Sequence, residues 1–209
     1  MLSVVGWDRA GRSLLTQGWV RLPEAVSPED LERLIEARCS AWQALPEEEG
    51  VVRQGGFAAH ADLGVTDASV RALAHELIDA LGAVLGEAAP LPSFNEVSWT
   101  LYPTGSGHIT AHRDPAAFTG VIAVATLRGS ATFRVSNGRD HAEWDTAPGD
   151  VVLLGAHGWP GSPHGPVHEV DPPVDGDRLI MTLRHNSRGA GGGYDVGPTE
   201  YRRVWPPDR

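Results

Sequence analysis

The hydrophobic period of this chain changes near residue 94, and that change narrows the choice of fold. Downstream of it, apolar and polar residues alternate over short runs, as in strands with one buried face. Asn95 to Tyr102 alternates, Gly105 and Gly107 break the run, and Ile109–His112, Gly120–Leu127 and Ala131–Ser136 follow. Asn137-Gly138 reads as a hairpin turn before Glu143–Thr146, and Pro148-Gly149-Asp150 turns the chain into Val151–Leu154. Val167–Val170 and Arg178–Leu183 supply two more strands. About eight short strands joined by tight turns predict a sandwich or small barrel.

Upstream the pattern is mostly helical. Residues 14–22 read as a first strand. Ser27-Pro28-Glu29-Asp30 then has the composition of a helix start, with an N-cap serine, proline at the first position and acids at the positive end of the dipole. Leu31, Leu34, Ile35, Cys39, Trp42 and Leu45 extend that helix from about 28 to 46. Residues 50–65 are rich in glycine, lack a period and read as a loop or lid. Thr66-Asp67 cap a second helix, whose Val70, Leu73, Leu77, Ile78, Leu81, Val84 and Leu85 recur at helical spacing up to Gly86. The expectation is one α+β domain over 1–209. It has a helical part to about residue 92, a strand core over 93–187 and a tail from 188, where Tyr201, Val204 and Trp205 dock back after a glycine-rich connector.

Composition excludes several chemistries. The 17 basic residues are all arginine, so Schiff-base catalysis and a Walker-type phosphate loop, which need a lysine amine, are ruled out. A formal net charge of −10 argues against nucleic acid as the partner, because phosphate contacts need clustered positive charge. The single cysteine, Cys39, permits no intrachain disulfide and reads as a buried small hydrophobe. With no apolar run near the roughly 20 residues of a membrane span and no signal-like start, the expectation is a cytoplasmic protein without a membrane partner.

His112-Arg113-Asp114 carries the chemistry. Two residues apart on a strand, His112 and Asp114 face the same way and can share one ion. A histidine from a later strand would complete the two-histidine, one-carboxylate face that suits non-haem iron and oxygen. His168 stands ten residues before Arg178, while His164 stands about fourteen after the Gly149-Asp150 turn; His168 is preferred and His164 stays open. A kinase reading of His-Arg-Asp fails for want of a lysine and an Asp-Phe-Gly.

Together, His112-Arg113-Asp114, the run His168-Glu169-Val170-Asp171-Pro172-Pro173-Val174-Asp175-Gly176-Asp177-Arg178, and Arg178-x5-Arg184 resemble the Fe(II)- and 2-oxoglutarate-dependent dioxygenases. The H-x-V-x-P-V-x-x-G-x-R shape of that run is similar to the prolyl-hydroxylase branch, with one extra proline. The arginine pair and Tyr102-Pro103-Thr104-Gly105 are similar to the AlkB-like branch, as Gly18-Trp19-Val20 before Ser27-Pro28-Glu29 is to the start of many such enzymes. The resemblance covers about residues 14–186. It implies a double-stranded β-helix (jelly-roll, cupin-like) core with supporting N-terminal helices, and iron held by His112, Asp114 and His168. It implies Arg178 as the partner of the distal carboxylate of 2-oxoglutarate, Arg184 near its other carboxylate, and Tyr102 as a hydrogen-bonding residue. Thr100 stands where the family pattern has asparagine, and Tyr102 lies one residue further from His112 than in that pattern.

The activity so implied is hydroxylation of a small-molecule or peptide-like substrate with O2, releasing succinate and CO2. Retention of Asp114 speaks against halogenation, because halogenating relatives lose that carboxylate. Oxidative demethylation of alkylated nucleic-acid bases is the alternative, and a non-catalytic metal-binding sensor a distant third. Trp99, His108, Arg53, His60 and Glu96 are expected to line the substrate pocket, with the 50–65 loop closing over it. The oligomeric state has no signature in the sequence.

Overall fold

The computed structural model describes residues 6–190 except 39, 46, 50, 51 and 90–93. In chain order the elements are α1 (Trp7–Gln17), β1 (Trp19–Leu22), α2 (Pro28–Glu36), β2 (Gln43–Ala44), β3 (Glu48–Glu49), β4 (Val52–Gly55), β5 (Phe57–Asp62) and α3 (Ala68–Leu85). The strand region follows with β6 (Glu96–Tyr102), β7 (His108–His112), β8 (Phe118–Arg128), β9 (Ala131–Ser136), β10 (His141–Thr146), β11 (Val151–Gly155), β12 (Val167–Val170) and β13 (Arg178–Asn186). Two antiparallel sheets result. One has the order β1-β11-β8-β13-β6-β5-β2 and the other β10-β9-β12-β7-β4-β3. This is the expected jelly roll, and all eight strands anticipated after residue 94 are present.

Alternation decides which face of each strand meets which layer. On β6, Val97 and Trp99 pack with the helices, whereas Tyr102 packs between the sheets with Phe118, Ile122, Phe133 and Val135. The helical layer closes the outer face of the large sheet through Leu14 of α1, Leu34 of α2, and Leu77 and Leu81 of α3, all nearly inaccessible to solvent. Burying each such side chain contributes about 1.5–3 kcal/mol. The predicted caps of α2 and α3 form: Ser27 Oγ accepts from Asp30 N at 3.2 Å, and Asp67 Oδ1 accepts from Ser69 N at 2.8 Å. Among the described residues no helix is long and apolar enough to cross a membrane.

Three expectations are corrected. Residues 14–17 belong to a helix, whose Trp7, Ala10, Gly11 and Leu14 are its buried side and which stops at Gly18 in the left-handed region (φ 88°). The helix from Pro28 ends at Glu36 instead of about 46; Trp42 still packs on the core, but from the segment leading into β2. Residues 50–65 are not a free lid. β4 pairs with β7 in the small sheet and β5 with β6 in the large one, so the chain changes sheets within Gly55-Gly56. Gly56 has φ 143°, and a Cβ there would lie 2.5 Å from the Leu101 carbonyl oxygen, which leaves room only for glycine. The expectations for Cys39 and the tail from 191 onward fall outside the described residues.

Candidate active site

A cavity of about 370 Å³ opens between the sheets. His112 on β7 and His168 on β12 are direct cross-strand partners, and Asp114 follows two residues beyond His112. One ligand atom from each of the three lies within 4.8 Å of the others. The rings of His112 and His168 are 4.2 Å apart, and His168 Nε2 lies 3.7 Å from Asp114 Oδ2. Each histidine has a backbone carbonyl against Nδ1, Thr110 O at 2.9 Å for His112 and Pro166 O at 3.4 Å for His168. A carbonyl only accepts, so Nδ1 carries the proton and Nε2 presents its lone pair to the shared point. Burial, and then the neighbouring His168, pull the His112 imidazole down to about 4, keeping it neutral and ready to ligate near neutral pH. His164 is exposed and pairs at 6.0 Å with His157, away from this cluster.

Arg178 sits across the cavity and is 0 % exposed. Its Nη2 donates to Thr126 Oγ1 at 3.2 Å and its guanidinium lies 5.8 Å from the Tyr102 ring centroid, but Nε and Nη1 have no hydrogen-bond partner among the described residues. Burial lowers its pKa to about 10, which leaves it charged at neutral pH. A buried cation with two idle donors beside a cavity costs free energy unless an anion completes it. The donor set therefore fits an absent carboxylate, and the adjacent two-histidine, one-carboxylate cluster fits a divalent iron. Tyr102 and Arg178 are cross-strand partners, and Asp177 fixes the neighbouring loop by accepting from Thr104 N and Oγ1, both at 2.9 Å.

The remaining expected residues divide. Thr100 and His60 line the cavity, and so does Arg184, whose guanidinium meets Glu96, His60 and the Phe118 ring. Trp99 does not: it faces the helices from the opposite side of β6. Glu96 lies behind the wall at 0 % exposure, held by Arg184 and Asn186. His108 bonds back to Ser106 O and Arg53 is exposed on β4; neither reaches the cavity. Thr126, which holds Arg178, was missed, and so were the lining residues Gln54, Ser98 and Thr182. Strand parity is the signal that finds them: Thr126 shares a face of β8 with Ile122 and Val124, and Ser98 shares a face of β6 with Thr100 and Tyr102.

No protein-family model matches the chain, and no curated protein sequence does. Solved structures do. A prolyl-4-hydroxylase from Pseudomonas putida superposes with a TM-score of 0.65 at 20% identity, covering 86% of this chain and 98% of the other. A 2OG-Fe(II) oxygenase from Burkholderia pseudomallei gives 0.68 at 15% identity over 93% and 97%. The alpha-ketoglutarate-dependent carbocyclase SnoK of nogalamycin biosynthesis gives 0.65 at 14% identity over 92% and 88%. Cavity, strand order and ligand cluster thus stand on a chain with the fold of the 2OG-Fe(II) oxygenases.

Proposed function

We propose that the protein is an Fe(II)- and 2-oxoglutarate-dependent oxygenase that hydroxylates a small polar molecule. One observation carries this reading: buried Arg178, whose Nε and Nη1 have no hydrogen-bond partner among the described residues, lines the same cavity as the His112–Asp114–His168 cluster. Iron with 2-oxoglutarate supplies, once both are bound, the activation of O2 that C–H oxidation requires. The protein's part is placement. Arg178 would take the distal carboxylate through guanidinium donors left idle, with Thr126 holding its Nη2. Tyr102, whose pKa burial pushes above its ordinary value, stays protonated and would donate to the bound cosubstrate from the adjoining strand. His112, Asp114 and His168 would together hold the metal. Ile109, Ile122, Val124, Phe133 and Val170 line the same cavity and keep bulk water from the reacting centre. Glycine-switched strands, not a moving loop, form the wall toward residues 52–62.

The cavity favours a small polar substrate over a nucleobase. The aromatic rings lining the cavity are already engaged: Phe118 carries the Arg184 guanidinium at 4.3 Å, Tyr102 the Arg178 guanidinium at 5.8 Å, and Phe133 stacks on Trp144 and His168. A screen for substrate-stimulated succinate release with Fe(II) and 2-oxoglutarate tests the reaction. Release that is unchanged in His112→Ala and Asp114→Ala would refute the site assignment.

A further inference from the structure

Between the Arg178 and Arg184 positions, the large sheet presents a floor of hydroxyls to the cavity. On β6, Ser98, Thr100 and Tyr102 share one face, and Arg178, Ile180, Thr182 and Arg184 share the same face of β13. The register makes Ser98 and Thr182 direct partners and sets Thr100 opposite Ile180, one row along. Side chains directly opposite have Cβ atoms about 4.5–5.5 Å apart and diagonal ones about 7–8 Å, so one small group can touch all three hydroxyls. Ala58 opposite Thr100 and Val124 opposite Thr182 flank them and also line the cavity. Gln54 lines it from the small sheet, opposite Ile109 on β7. Ser98, Thr182 and Gln54 are only 3 %, 9 % and 8 % exposed, a depth at which polar groups are normally paired. Yet their side chains, and that of Thr100, have no hydrogen-bond partner among the described residues.

We propose that Ser98 and Thr182, with Thr100 and Gln54 beside them, form a specificity-determining subsite for an uncharged substrate group that both donates and accepts hydrogen bonds, an amide or an alcohol. This rests on the oxygenase reading given above and names the substrate class within it. The chemistry of the four side chains supports it. A hydroxyl and a carboxamide each offer a donor and an acceptor, and neither is charged. A carboxylate bound to them leaves their lone pairs unanswered, and an ammonium leaves their protons so. The charges that line the cavity have other partners: Asp114 belongs to the ligand cluster, Arg184 pairs with Glu96, and Arg113 Nε donates to Gly165 O at 3.1 Å. A charged group on the floor therefore gives up its hydration without a counter-charge of its own. The floor also lies clear of the cosubstrate. Ser98 and Thr182 stand four residues from Tyr102 and Arg178, about 13 Å along the strands, whereas the four C–C bonds of 2-oxoglutarate measure about 1.5 Å each. His112 and His168 belong to the other sheet, so a molecule joining Arg178 to their cluster crosses the cavity instead of following the floor.

The test uses 15N-labelled protein loaded with Zn(II) in place of Fe(II) and with 2-oxoglutarate, so that no turnover occurs. Acetamide, 2-propanol, acetate and isopropylammonium serve as probes of similar size, read at the backbone amide signals of Ser98, Thr100 and Thr182. A neutral probe is expected to shift them at concentrations at least about tenfold below any effect of the charged ones, and whichever neutral probe acts lower identifies the group recognised. Equal responses to the charged probes, or none to the neutral ones, overturn the proposal. Ser98→Ala combined with Thr182→Val removes both hydroxyls at nearly constant shape and should weaken the neutral response, read at Thr100, by about tenfold or more. A response that persists unchanged reports apolar contact alone and overturns the proposal. Should the double variant fail to fold, the single changes decide: Thr182→Val should weaken the response by about threefold or more and Thr182→Ser, which keeps the hydroxyl, by less than about twofold. Equal effects of these two overturn the proposal. The Kd for 2-oxoglutarate should stay within about threefold of wild type in every variant; a larger rise assigns the hydroxyls to the cosubstrate and overturns it. Failure of the metal-loaded wild-type protein to bind 2-oxoglutarate at all refutes the oxygenase reading instead, which separates the two failures.

Discussion

Arg178→Met separates a functional cation from a structural one. Among the described residues the native guanidinium, fully buried, has one neutral hydrogen bond, to Thr126, and two idle donors; Asp150 attracts it from longer range. If this guanidinium exists for a carboxylate, the substitution removes up to two charge-assisted hydrogen bonds worth about 1.5–3 kcal/mol each. For two, the expected loss is therefore about 3–6 kcal/mol, or a 10²- to 10⁴-fold rise in the Kd for 2-oxoglutarate. The metal- and cosubstrate-free protein should respond in the opposite sense. Methionine keeps most of the unbranched stem and takes an unpaired charge out of the interior, so stability is expected to hold within about 1 kcal/mol or to rise. Calorimetric titration of Zn(II)-loaded protein with 2-oxoglutarate, paired with urea unfolding of the apoprotein, measures both. An affinity within about threefold of wild type, or an apoprotein destabilised by more than about 3 kcal/mol, would refute the reasoning.

Metal addition should raise Tm in wild type and not in His112→Ala; at a hundredfold excess of free metal over Kd the gain is about 2.7 kcal/mol, read by thermal unfolding with and without chelator. The apoprotein should weaken in mild acid. His112 titrates near 4 when folded and near 6.5 when unfolded, so between these values the unfolded chain binds more protons and stability falls as pH drops, by about 3 kcal/mol in all. Urea midpoints from pH 7 to pH 4 check this, and an equal fall in His112→Asn would assign it elsewhere. Gly56→Ala should cost at least about 2 kcal/mol, because φ 143° and the Leu101 carbonyl both oppose a Cβ; unchanged urea stability would count against the sheet switch being so constrained.

Strands could be read from the sequence wherever one face is buried and the other is not. Ala131–Ser136 and Val167–Val170 have the expected limits because both faces of those strands meet different environments along their whole length. Residues 50–62 could not be read for a physical reason. The chain passes from one sheet to the other at Gly56, so no single alternation persists across it, and glycine there marks a conformational need and not a loop. The early helix was hidden because Leu14-Leu15 looks strand-like alone, although Gly18 supplied the stop signal. Beyond Glu36 the spacing of Trp42 and Leu45 was helical by coincidence, since tertiary packing decides such short runs. At the site, the ligand pattern was legible because ligand geometry demands fixed spacing. The wall residues were not: Trp99 and Ser98 are neighbours, and only strand parity separates the core from the cavity.

The sheet switch at Gly55-Gly56 divides the labour of the chain. Residues 43–62 join the rest of the cavity mainly through backbone ladders on β6 and β7, and a ladder reads main chain irrespective of the side chains it carries. Gln43, Gln54 and Ala58 are therefore exchangeable positions, while the His112–Asp114–His168 cluster hangs from β7 and β12 and Arg178 from β13. On the proposed reading, part of the choice of ligand is written on a stretch of sequence separate from the metal cluster. A combinatorial library confined to 43–62 then samples recognition with the reaction held constant, and drift in that segment offers a lineage a route to new substrates without rebuilding its catalyst.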